Sequence, residues 1–202
     1  AIYHFDSTLS DFSSFRQTAV YEDKRLNYQI ERGEQIRYAD STTSRQSYLH
    51  LAQKALLDGW YFNAIQYGLK AIHHARENGE QTDNIAVASN ITGMAYSRVG
   101  NLTLAARHYM NAALYKEQIT ESPVTLSEIY NNLGTVMPDW RQALQYFEKA
   151  YETGVKENAT DVMGMALQNQ SLIYEQYGTY EQADHCIHAS YQLGREDHDQ
   201  LL

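Results

Sequence analysis

Apolar residues along this chain return at helical spacing, and from residue 45 onward they do so in paired blocks. The pairs run approximately 45–57 with 60–78, 82–99 with 102–119, 124–137 with 139–157, and 160–177 with 180–195. Gly100 and Asn101 break the second pair in the middle, while Gly79 and Asn158 punctuate the boundaries between pairs. The two prolines, Pro123 and Pro138, fall at predicted helix boundaries, where a missing N–H is tolerated. Ahead of the pairs, Phe12, Phe15, Ala19, Leu26 and Ile30 predict one further helix over Leu9–Arg32, stopped by Gly33. Residues 1–8 read as a lead-in, and Ser41-Thr-Thr-Ser44 as a polar break that caps the next helix. The expected organisation is a lead-in and capping helix over 1–44, four helical hairpins over 45–195, and a tail or start of a further helix over 196–202.

The hairpins are copies of one another. With Ala105 as anchor, equivalents stand at Ala64, Ala143 and Ala183, spaced by 41, 38 and 40 residues. Seven residues beyond each anchor sits another small side chain: Ala71, Ala112, Ala150 and Ser190. The first helix of each pair carries its own small site, at Ala52, Gly93, Gly134 and Ser171. Three residues before the anchor stand Tyr61, Leu102, Trp140 and Tyr180. Small residues opposite large ones, such as Tyr96 and Tyr109, are what close antiparallel helix packing requires, and Leu102 is expected to share that role. The third copy departs from the others: Gly134 to Ala143 spans 9 residues where the other three span 12, and Met137-Pro138-Asp139 replaces the glycine turn. The deletion reads either as a notch in the wall of a groove or as a neutral shortening at a hairpin tip.

This alternation of small and aromatic sites resembles the tetratricopeptide repeat, over roughly residues 45 to 195. A period near 40 residues is similar to the longer-helix variety found in kinesin light chains, some polarity adaptors and bacterial peptide-sensing regulators. The resemblance implies an all-α fold, a right-handed α-α superhelix of about four hairpins preceded by an N-terminal helix. It further implies a concave inner surface, lined by the first helix of each pair, that binds peptides.

Composition narrows the functional classes. The formal charge of −9 argues against direct contact with DNA or RNA, which is held through phosphate neutralisation by Lys and Arg. No stretch approaches the roughly 18 consecutive apolar residues of a membrane span. The single cysteine, Cys186, excludes an internal disulfide. A start at Ala1 leads to the expectation of a processed mature protein or, in preference, a piece excised from a longer one. Few lysines and 17 tyrosines hint at an extracytoplasmic origin, and the compartment stays open between periplasm and cytoplasm. No phosphate loop, nucleophile elbow or metalloprotease helix is present, so neither catalysis nor a cofactor is expected. His185, Cys186 and His188, like His73 and His74, lack an evident further ligand, so no metal is expected; Cys186 reads as a small buried packer.

Binding chemistry is expected on the inner face. With the small first-helix residue numbered as position 8, position 5 is Leu49, Asn90, Asn131 and Gln168. Position 6 adds His50, Asn132 and Asn169, and position 9 adds Gln53, Met94, Thr135 and Leu172. A carboxamide both donates and accepts, so it can pair with the N–H and C=O of an extended peptide whatever its side chains. Neighbouring inner helices lie about 8–10 Å apart and an extended strand advances about 3.3 Å per residue, so one repeat matches about three peptide residues. Tyr96, Met94, Leu172 and Tyr174 are candidate pocket walls, and Arg98 is the cation near the groove edge. Plain solvation of exposed amides is the alternative. The amides also resemble the family's asparagine ladder, matched by Asn90 and Asn131, with Gln168 a departure. Capture of a C-terminal carboxylate is not implied, because Val87 and Glu128 stand where that mode uses cations.

Two functional readings follow. One is a protein- or peptide-binding module, the sensing part of a longer bacterial regulator; the Leu9–Arg32 helix before the repeats resembles the sensor regions of membrane-linked regulators of this kind. The other is a scaffold that assembles through its convex face or an open C-terminal end, including as a homo-oligomer.

Overall fold

The computed structural model describes residues 48–77, 82–118 and 125–200. The Leu9–Arg32 helix, the Ser41–Ser44 cap, the Gly79 turn and Pro123 lie outside the described residues. Within them all regular structure is helical: α1 (Tyr48–Leu57), α2 (Tyr61–Glu77), α3 (Thr82–Arg98), α4 (Leu102–Lys116), α5 (Leu126–Val136), α6 (Trp140–Glu157), α7 (Thr160–Gln176) and α8 (Tyr180–Gln200). The last helix runs five residues past its expected stop at 195, so the segment read as a tail continues α8.

Local chemistry sets the helix boundaries. Gly59, Gly100 and Gly178 turn the chain with positive φ, and Asn158 ends α6 in the left-handed region at φ 59°. Asn101 caps α4 by accepting from the Leu104 N–H at 3.1 Å. Asp139 does the same for α6, accepting from the Arg141 N–H at 2.9 Å, which is how the third hairpin turns without glycine.

Each helix packs against its neighbours in sequence. In addition the first helices of successive pairs touch one another, α1 with α3, α3 with α5 and α5 with α7; the second helices do not, among the described residues. The four anchors Ala64, Ala105, Ala143 and Ala183 are all buried. A Cβ built on Gly93 would lie 2.7 Å from the Tyr109 ring, and one on Gly134 would strike Phe147, so each glycine makes room for the aromatic of its partner helix. Tyr96 is fully buried and stacks on His108 with ring centroids 5.2 Å apart. Leu102 and Tyr180 depart from expectation, at 46% and 69% exposed. Their site opens the second helix beside the hairpin turn.

The shortened third hairpin has a structural consequence. α5 ends two residues after Gly134, whereas α3 and α7 run five residues past Gly93 and Ser171. Trp140, the first residue of α6, stacks on Tyr177 at the end of α7, centroids 4.4 Å apart, and the Arg141 guanidinium also lies 4.4 Å from the Trp140 ring. An aromatic stack with a cation against it therefore bridges the third and fourth tips.

Candidate functional site

The side formed by α1, α3, α5 and α7 gathers the amides singled out by position. Their arrangement follows one rule. The position 5 amide of one repeat accepts from the position 6 amide of the next: Asn132 Nδ2 donates to Asn90 Oδ1 at 3.3 Å, and Asn169 Nδ2 donates to Asn131 Oδ1 at 3.0 Å. These bonds join α3 to α5 and α5 to α7. At the first interface Leu49 and Ile91 hold the corresponding places and belong to one apolar cluster.

Asn90 is also used from its other end. Its Nδ2 donates to Glu128 Oε1 at 3.4 Å and lies 4.0 Å from the Met94 sulfur. Both halves of Asn90 are thus committed to α5, to residues one turn apart on the same face. Asn131 shows only its oxygen bonded; its Nδ2, and the Oδ1 atoms of Asn132 and Asn169, make no hydrogen bond among the described residues. The side formed by α1, α3, α5 and α7 therefore alternates amide halves that hold the repeats together with halves left over.

Burial sorts the remaining candidates. Asn90 and Asn131 are only 2% and 6% exposed, so the picture of open groove amides applies to Gln168 and not to these two. Gln168 is exposed but turned toward its own partner helix, donating to Ser190 Oγ at 3.3 Å. His50 and Gln53 are exposed on α1, Arg98 is exposed near the end of α3, and Met94 is half-buried against the core. Of the expected pocket walls, Tyr96 is sealed in the core and unavailable, whereas Leu172 is 62% exposed. Tyr174 is half-buried beside a cavity of about 640 Å³ between α7 and α8, lined also by Gln170, Asp184, His185 and Cys186. His188 pairs with Asp184 at 3.7 Å. Cys186 is buried, its thiol directed at Gln170 Oε1, and burial pushes its pKa up.

Sequence reasoning used Glu128 only to argue against capture of a C-terminal carboxylate and did not count it among the site residues. Thr125 and Glu128 have the spacing of a capping box, in which the Glu would fold back onto the helix start. Thr125 does its part, accepting from the Glu128 N–H at 3.2 Å. Glu157 reaches from α6 to accept from Leu126 N–H at 3.0 Å and Ser127 N–H at 3.1 Å, and Glu128, instead of folding back onto the Thr125 N–H, crosses to α3. Burial raises its carboxyl above the ordinary carboxylate range, and the Asn90 amide opposes that rise in part. Tyr109, beneath Gly93, is pushed upward as well, by burial first, with Arg98 opposing and Glu128 adding to the shift. The capping-box spacing was the sequence signal that marked Glu128.

No described helix is long and apolar enough to cross a membrane. No family model matches the sequence, and no curated protein matches it. Among solved structures, the crystal structure of BtubC (BKLC) from P. vanneervenii is similar, with a TM-score of 0.66 over 94% of this chain and 78% of that chain, at 18% identity. At that identity the likeness is one of fold alone.

Proposed function

We propose that this chain is a tetratricopeptide-like module that binds an extended protein or peptide segment along the side formed by α1, α3, α5 and α7. The observation that carries the reading is the split use of the amides. One half of each Asn132 and Asn169 carboxamide is spent between repeats, and the Oδ1 half of each of these half-buried residues is left over. Spare acceptors in register with successive helices match the N–H groups of an extended backbone. Two further features support it: contact between first helices without contact between second helices favours an array that curves toward the amide side, and exposed Leu172 beside Gln168 offers an apolar wall. Each spare hydrogen bond contributes about 0.5–1.5 kcal/mol net, so side-chain pockets must supply most of the affinity. As a sensing part of a longer bacterial regulator, the module would couple capture of such a segment to a domain outside it.

Selection of displayed random dodecapeptides on the purified chain, followed by fluorescence anisotropy of the enriched sequences, tests the reading. Leu172→Asp, a substitution at an exposed site, is expected to weaken capture about tenfold or more. Enriched peptides that bind the variant unchanged, or a selection that enriches none, would count against it. A scaffold is the second reading, favoured by exposed Tyr180, Ile187 and Tyr191 on α8. Light scattering that shows a concentration-dependent dimer abolished by Ile187→Asp would support it, and a strict monomer would not.

A further inference from the structure

We infer that Glu128 is the specificity-determining residue of this face and seats a cationic group of the bound segment, the side chain of a Lys or Arg or a free N-terminal amine. The inference rests on the peptide-binding reading and deepens it. Three observations carry it. First, the carboxylate does not fold back onto its own helix: its side chain crosses to Asn90 on α3, while Glu157 serves the Leu126 and Ser127 N–H groups. Second, it is held in place by an amide that is itself fixed: Asn90 donates to one carboxylate oxygen while Asn132 pins the other end of Asn90. Third, its charge lacks a counter-ion among the described residues: the side chain's one hydrogen bond there is with neutral Asn90, its second oxygen accepts nothing, and no described Lys or Arg pairs with it.

A half-buried carboxylate balanced by one neutral donor is poorly compensated, and a cation arriving from solution recovers that deficit. Arg98 lies on the same helix as Asn90 but two turns further on, and it does not pair with Glu128. One repeat further, the place equivalent to Glu128 is Met165, 43% exposed, where the aliphatic stem of a Lys or Arg could lie while its head reaches the carboxylate. The overall charge of −9 favours the approach of a basic segment at a distance. A phosphorylated or acidic segment is disfavoured for the same reason.

The test uses displayed random dodecapeptides selected in parallel on the wild-type chain and on Glu128→Gln, which keeps an oxygen for the Asn90 amide. Enriched peptides are then resynthesised with free or acetylated N-termini and measured by anisotropy, with Glu181→Gln on α8 as a charge-matched control. Wild-type selection is expected to fix Lys or Arg at one peptide position, or to yield peptides that need a free N-terminus; acetylation separates these two sources. Such peptides should lose about tenfold in affinity on Glu128→Gln and little on Glu181→Gln. Peptides that bind but carry no fixed cation, or that bind Glu128→Gln as well as wild type, overturn the assignment while leaving the peptide-binding reading intact. Failure of any peptide to enrich overturns both. Matching melting temperatures of the two variants would exclude loss of fold as the cause.

Discussion

The first inner-helix interface and the two that follow solve one geometric problem with different chemistry. Between α1 and α3 the equivalent positions are Leu49 and Ile91, the first packed against the apolar cluster to which the second belongs. Between α3 and α5, and again between α5 and α7, the same positions are asparagines joined by amide bonds. An apolar contact adds stability without direction, whereas a buried amide pair contributes little net energy and penalises any register in which a partner is lost. The polar interfaces also leave amide atoms without a partner among the described residues, which the apolar one cannot.

The largest expected effect comes from setting like charges against each other at a polar interface. Asn90→Asp places a second carboxylate beside Glu128 and deprives it of its donor, and is expected to cost about 3 kcal/mol at neutral pH, read by urea titration. A loss no greater than that of Asn90→Ala would show that the Asn90–Glu128 bond is not maintained in solution. Next, Asn131→Ala leaves the Asn169 amide without its acceptor and should cost about 1–3 kcal/mol. Converting that interface to the apolar form, Asn131→Leu with Asn169→Ile, should recover most of the loss in a double-mutant cycle, because it reproduces the Leu49–Ile91 solution. No recovery would mean that the two kinds of interface are not equivalent. The smallest effect is on pH dependence. The Glu128 carboxyl is raised in the fold, so its ionised form opposes folding. The stability of wild type relative to Glu128→Gln should therefore be greatest in acid and decline as pH rises through the folded-state pKa of Glu128. A pH-independent difference would contradict the burial of that carboxyl.

The comparison also marks how far the sequence could be read. Ala64, Ala105, Ala143 and Ala183 announced the helix crossings because close packing admits only small side chains there, whatever the surroundings. The all-helical character followed from the same periodicity. Leu102 and Tyr180 fell on the expected repeat site yet remain exposed, since recurrence along the chain records a position and not its burial. The amides were placed on the inner side by register, but their mutual bonds were not legible. Each bond runs from position 5 of one repeat to position 6 of the next, an offset set by how the helices stack. The role of Glu128 was missed for a related reason: its partner Asn90 lies 38 residues away on α3 and is brought beside it only by the fold.

The central claim is that the asparagines serve recognition with the amide halves that the repeat interfaces leave over. It is tested most directly by the affinity of an enriched dodecapeptide for the Asn131→Leu, Asn169→Ile chain, measured by anisotropy where that chain is folded. The account predicts at least about a tenfold loss of capture from a protein that still melts cooperatively. Capture at wild-type strength by the apolar variant would contradict it.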